Sequence, residues 1–268
     1  RAYGRTLTGS HTLLTGGALT AADLAKFTLK SETPAHLEVA DGNLVFVADA
    51  APAEPALPAG YRRLDFVESS TSQYVDTGVY SSPQTVVDMT VSFPVLPGEG
   101  AWYSYMGGRY GGGHTHQFGG WIYTKNGATW HYAATRATES TSTIPVAIDT
   151  PYQVHLEKNG PCLVDGQYMD VGAGAESGRP IYLFAICNNG SVGSAGNSRI
   201  HGCRIATKID DGVLRIERDY VPVLREADGE IGFYERVSGT FVGRNSGGTF
   251  GAGLPAAITG TDYTQTAE

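Results

Sequence analysis

Residues 152–171 read YQVHLEKNGPCLVDGQYMDV, and this stretch decides the fold class. Apolar and polar side chains alternate through 152–157, 162–164 and 167–171. The breaks between these runs are Asn159-Gly160 and Asp165-Gly166, dipeptides that accept the positive φ of a tight hairpin turn. A period of two bounded by such turns builds antiparallel strands, because successive side chains of a strand point to opposite faces.

The same pattern extends in both directions. Upstream lie the alternating runs 63–68 and 73–77, the strand 86–93 ended by Pro94, and aromatic strands at 102–106, 121–124 and 129–133. The last two are joined by Lys125-Asn126-Gly127. Downstream, 181–187, 199–208, 214–220, 231–236 and 240–242 complete the set. Strands so evenly spaced, with almost no helix, predict an all-β antiparallel sandwich over residues 60–255. Phe66, Tyr74, Tyr234 and Phe241 are expected to supply large buried area in it.

Residues 1–59 read differently. Short bursts at 6–8, 36–39 and 43–47 are separated by Gly16-Gly17 and Asp41-Gly42, which predicts a short β-rich N-terminal segment. Residues 21–26 (AADLAK), with Thr20 before them, read as a single helical turn. The run 48–60 (ADAAPAEPALPAG) has the composition of a semi-stiff Pro/Ala linker and marks the domain boundary. Residues 256–268 form a C-terminal tail. The chain begins at Arg1 without the charged-then-apolar start of a signal peptide, so a piece of a longer protein is expected.

Nineteen basic against 27 acidic residues give a net charge of −8, without the basic stripe a nucleic-acid binder needs. No run of about 18 apolar residues is present, so no membrane insertion is expected. Low charge and abundant hydroxyls suit an exported bacterial protein. Cys187 and Cys203 flank a Gly/Asn/Ser-rich stretch. They either face each other as a disulfide on neighbouring strands or, with Cys162, are three small buried thiols.

Four segments carry a resemblance: 64–78 (LDFVESSTSQYVDTG), 180–189 (PIYLFAICNN), 202–221 (GCRIATKIDDGVLRIERDYV) and 222–253 (PVLREADGEIGFYERVSGTFVGRNSGGTFGAG). In this order they resemble the LamG-like, concanavalin A-like lectin/glucanase jelly rolls of large bacterial surface proteins and some phage tail proteins. Ser70-Thr71-Ser72 departs from the family's pattern, which has a glycine in that turn. The resemblance implies a two-sheet jelly roll and an extracellular or cell-surface location. The fold hosts lectins, glycanases and inert spacers alike, so the site must decide function.

Hydrolysis on this fold needs two facing carboxylates roughly 5–5.5 Å apart. The family's E-x-D-x-x-E string does not occur, and the one E-x-D-x-E match, Glu226-Ala227-Asp228-Gly229-Glu230, contains an Asp-Gly turn signal rather than the alternation of a strand. Glu230 and Glu235 fall on opposite faces of a strand, while Glu217 and Asp219 share one in the family's solvent-edge position. Neither a G-x-S-x-G elbow nor a phosphate-binding loop is present. The expectation is therefore a protein that is not an enzyme.

His114 and His116 in the glycine-rich loop, with His131 nearby, have the alternation of zinc ligands but lack a nameable third and fourth, and the competing reading is an exposed loop. Asp76, Asp210 and Asp211 are calcium candidates by type alone. No metal or cofactor is expected. Sugar recognition asks for exposed aromatic faces beside polar side chains. Residues 102–132 are rich in Trp and Tyr, although Trp102, Trp121, Trp130 and Tyr132 can fill a sandwich core equally well and the core is the expected home of most of them.

The candidate groove comprises Tyr105, Arg109, Tyr110, His114 and His116, with Asn188 and Asn189 opposite them in the layout the resemblance implies. The function expected is a non-catalytic recognition or adhesion module with a glycan partner. A structural spacer and an atypical glycoside hydrolase are the alternatives.

Overall fold

The structure, a computed structural model, describes residues 10–14, 20, 35–41, 43–48, 55–70, 72–110, 117–125, 128–134, 140–158, 160–169, 177–209 and 213–253. Among the described residues there is no helix, and almost every strand pairing is antiparallel. The helical turn expected at 21–26 and the tail 256–268 lie outside the described residues.

The chain divides into two compact units, Arg1–Ala56 and Leu57–Glu268. The first holds β1 (Ser10–Leu14), β2 (Ala35–Ala40) and β3 (Asn43–Ala48) in one sheet of order β1-β3-β2. Asp41, with φ +52°, turns the β2–β3 hairpin, as its Asp-Gly signal predicts.

The second unit contains β4 (Tyr61–Arg63), β5 (Phe66–Ser70), β6 (Val75–Tyr80), β7 (Thr85–Ser92), β8 (Trp102–Arg109), β9 (Gln117–Lys125), β10 (Ala128–Ala134) and β11 (Ser140–Pro145). It continues through β12 (Tyr152–Glu157), β13 (Cys162–Val164), β14 (Gln167–Met169), β15 (Pro180–Leu183), β16 (Ile186–Asn188) and β17 (Ser191–Gly193). The last strands are β18 (Asn197–Lys208), β19 (Leu214–Arg225), β20 (Glu230–Glu235), β21 (Thr240–Val242) and β22 (Gly251–Gly253).

These strands make two sheets. The larger runs β14-β13-β12-β7-β18-β19-β20-β21, with β4, β5 and β22 attached. The smaller runs β11-β10-β9-β8-β15-β6, with β16 beside β8 and β17 beside β16. One core lies between them: Val87, Met89, Leu156 and Ile205 from the larger sheet meet Tyr105, Phe118, Ile122 and Leu183 from the smaller. The result is a β-sandwich.

Within the stretch 152–171, β12, β13 and β14 pair in sequence order, with Asp165 (φ +46°) and Gly166 (φ +73°) both in the left-handed region between β13 and β14. A second such pair, Asn189 (φ +53°) and Gly190 (φ +88°), turns the β16–β17 hairpin.

The single strand expected at 181–187 is broken. Buried Phe184 adopts φ +67°, a conformation bulky residues rarely take. Its N–H donates to the carbonyl of Tyr105 at 2.8 Å. Past this corner the chain leaves its antiparallel pairing with β8 and rejoins the same strand in parallel, Asn188 beside Arg109.

One expectation is corrected, and one pair of alternatives is decided in favour of the buried thiols. Phe66, Tyr74, Tyr234 and Phe241 are half-buried, because they pack on one another's surroundings outside the shared core. Tyr74 stacks on Tyr182 at 4.6 Å, Tyr234 meets Tyr61 at 5.1 Å, and Arg199 and Arg225 lie over Phe66 and Phe241 at 4.6 and 4.0 Å. The Cys187–Cys203 disulfide does not form, and all three cysteines are free and buried. The two residues sit in different sheets: Cys203 faces the shared core, whereas Cys187 packs with Tyr182 and Ala185.

Candidate functional site: a tryptophan-walled pocket on the smaller sheet

The pairing of β8 with β9 builds the site. Its register sets Trp102 opposite Tyr123, Ser104 opposite Trp121, Gly107 opposite Gly119 and Arg109 opposite Gln117. A bulge between Ser104 and Met106 admits one extra residue. Tyr105 and Met106 are consequently both buried in the core, and the outward row resumes at Gly107 and Arg109. On β9 the alternation is regular, with Phe118 and Ile122 in the core and Gln117 and Trp121 on the other face.

The outward side chains enclose a pocket of about 270 Å³ lined by Trp102, Ser104, Arg109, Gln117, Trp121, Ile186 and Ser194. Trp102 meets Trp121 edge-on at 6.2 Å and stacks on Tyr123 at 4.1 Å, so one end is aromatic. The other end is polar, formed by Arg109 and Gln117. Between the ends, Gly107 and Gly119 face each other, and a Cβ on either would stand 2.9 Å from the other's Cα. Only glycine fits at both places, which keeps the surface between the two ends at backbone height.

Gln117 is 1% exposed, and neither its amide nitrogen nor its amide oxygen has a hydrogen-bond partner. A buried amide in that state lacks compensation worth about 1–3 kcal/mol per group. Arg109 donates from Nε to Asn188 Oδ1 at 3.3 Å, a contact set up by the parallel β16–β8 register. Beside them Arg179 lies over the ring of exposed Tyr110 at 5.1 Å and donates to Asn189 Oδ1.

Four of the expected residues, Arg109, Tyr110, Asn188 and Asn189, thus come together at the polar end. Tyr105 does not. It is 1% exposed in the core, and this corrects its assignment to the groove. His114 and His116 lie outside the described residues, as does the side chain of His131.

Sequence reasoning missed Gln117, Ser104, Ile186 and Ser194, and favoured the core for Trp102 and Trp121. The spacing of Gln117, Gly119 and Trp121 on a strand carried the signal, since alternation puts all three on one face. Ile186 and Ser194 depend on the corner at Phe184, which no periodicity reveals.

The carboxylates considered for hydrolysis are engaged in ion pairs and turns. Glu217 accepts from Arg215 at 2.6 and 2.9 Å and from Thr207 at 2.9 Å, and the arginine holds its carboxyl below the ordinary range. Asp219 lies 3.7 Å from Arg236 and 4.0 Å from Arg204. Glu235 is buried, which alone would raise its pKa. It accepts from the N–H groups of Asp219, Val237 and Ser238, and these bonds outweigh burial and lower it. Among the described residues, no three His, Cys, Asp or Glu side chains are grouped to hold a metal ion.

No family model matches the chain. No curated protein matches its sequence. The pocket's geometry therefore carries the functional argument.

Proposed function

We propose that residues 60–255 are a LamG-like, concanavalin A-type jelly roll. In this reading it is a non-catalytic recognition module of an exported bacterial protein, and it binds a glycan in the pocket between Trp102, Trp121, Arg109 and Gln117. The observation that carries the reading is the pairing of an aromatic wall with a polar end across a glycine gap. A sugar ring has the same two-sided chemistry: C–H faces that lie against indole, and hydroxyl edges that need donors and acceptors. The pocket's 270 Å³ suits a single ring rather than a long segment of chain. Arg109 adds a planar polar group to its lining, and Asn188 accepts a hydrogen bond from that arginine.

The test is retention of the whole chain on a glycan array, repeated with Trp102→Ala and Arg109→Ala. Wild type is expected to be retained on at least one glycan class. Trp102→Ala should abolish that retention while the cooperative melting transition persists, since Trp102 is only half-buried. If wild type is retained on no glycan, the recognition reading fails and the spacer reading replaces it.

A further inference from the structure

We propose that the pocket reads two adjacent free hydroxyl groups of a pyranose ring through the side-chain amide of Gln117. This rests on the glycan reading above and names what that site selects. The argument starts from the state of Gln117. Gln117 lines the pocket, and its buried amide leaves both a donor nitrogen and an acceptor oxygen without partners. Such a group is a standing demand for a ligand edge that supplies one acceptor and one donor side by side.

Few chemical groups meet that demand. A carboxylate offers acceptors only and would set its lone pairs against Gln117 Oε1. An ammonium offers donors only and fails at Nε2. A secondary acetamide has both, but its trans geometry points N–H and C=O to opposite sides, so one planar amide cannot engage both at once. A vicinal diol succeeds. Each hydroxyl donates or accepts by rotation, so one can donate to Oε1 while its neighbour accepts from Nε2. Trp102 and Trp121 at the opposite end then receive the C–H face of the same ring.

This arrangement carries a stability signature that a structural glutamine would lack. Removing the amide removes two uncompensated buried polar atoms, so an apolar replacement of similar length should bind worse yet fold at least as well.

The experiment titrates methyl glucoside, galactoside and mannoside, their single-deoxy and single-O-methyl derivatives, an N-acetylhexosaminide and a hexuronide, read by tryptophan fluorescence and melting temperature. The whole chain is used as wild type, Gln117→Met and Gln117→Asn. At least one methyl hexoside should bind wild type. Deleting either hydroxyl of one adjacent pair should weaken binding about tenfold or more, because the amide is again left unpaired. Gln117→Met should lose the same tenfold or more with an unchanged or higher melting temperature. Gln117→Asn, which keeps the amide but shortens it, should also bind more weakly.

The inference is overturned if every single-deoxy sugar binds as well as its parent. It is likewise overturned if recognition follows the acetamido or carboxylate group, or if Gln117→Met binds normally. Each of those outcomes leaves glycan recognition standing. Absence of binding to every sugar here, together with no retention on the array, overturns the glycan reading itself. The deoxy series on wild type decides the matter even if a Gln117 variant fails to fold.

Discussion

Gly120 lies directly against the ring of Tyr105, so close that a Cβ at that position would stand 2.2 Å from its outer atoms. The ring has nowhere to retreat, being 1% exposed with Phe93 packed edge-on at 6.0 Å. Gly120→Ala should therefore overpack the core and destabilise the domain by about 3 kcal/mol. Urea unfolding monitored by tryptophan fluorescence measures it, and a loss below about 0.5 kcal/mol would show that the ring yields.

The same tyrosine makes an opposite prediction. Its hydroxyl is buried without a hydrogen-bond partner, and burial pushes its pKa well above the ordinary 10.0. Tyr105→Phe removes that oxygen and keeps the ring. It should be neutral or stabilising by about 1 kcal/mol, with glycan retention unchanged because the side chain faces away from the pocket. Loss of retention with an intact melting transition would return Tyr105 to the binding site.

The legible and illegible parts of this chain divide along a physical line. Strands and hairpins were readable wherever turn chemistry is local: Asp165-Gly166 and Asp41 take the φ values their residue types favour. The faces were harder, because alternation says that two sets of side chains oppose each other and not which set meets the other sheet. Trp102 and Trp121 show the consequence, being as apolar as any core residue yet placed on the pocket side. A bulge defeats the count altogether. At Tyr105 and Met106 two consecutive residues are buried, which puts Tyr105 and Arg109, four positions apart, on opposite faces. Asn189 was singled out for a sugar, and its backbone is also the positive-φ corner of the β16–β17 hairpin, a role its sequence context already carried.

The thiols should be inert in the folded state. Cys162, Cys187 and Cys203 are free and buried. Burial, reinforced by the negative charges of Asp88 and Asp219, pushes the Cys203 thiol far above the ordinary 9.0. Because the thiolate is the reactive form, a thiol-specific reagent should modify none of the three in native buffer and all three in denaturant. A reducing agent should leave the melting temperature unchanged. Rapid native labelling of Cys203 would contradict the packing of β18 against the core.

His155 gives the domain a pH-dependent stability whose direction follows from its partners. Nδ1 lies 2.6 Å from Asp88 Oδ1 and Nε2 lies 3.2 Å from Glu157 Oε1, while Lys208 holds the other oxygen of Glu157 at 2.6 Å. Carboxylates only accept, so both ring nitrogens must donate and the ring is the imidazolium. Burial alone would lower its pKa. The hydrogen bonds and charges of Asp88 and Glu157 outweigh that and push it up to about 9 from 6.5.

A folded-state pKa raised above the unfolded one contributes stability that is complete below about 6.5 and is lost as pH rises through about 9. Asp88 is half-exposed, so solvent screens the pair and the contribution is on the order of 1–2 kcal/mol. Unfolding free energies of wild type and His155→Gln should therefore differ by about that much at pH 6 and converge near pH 9.5. A difference that stays constant across this range would mean that the ring is neutral in the folded protein and that the Asp88–His155–Glu157 row does not hold a proton.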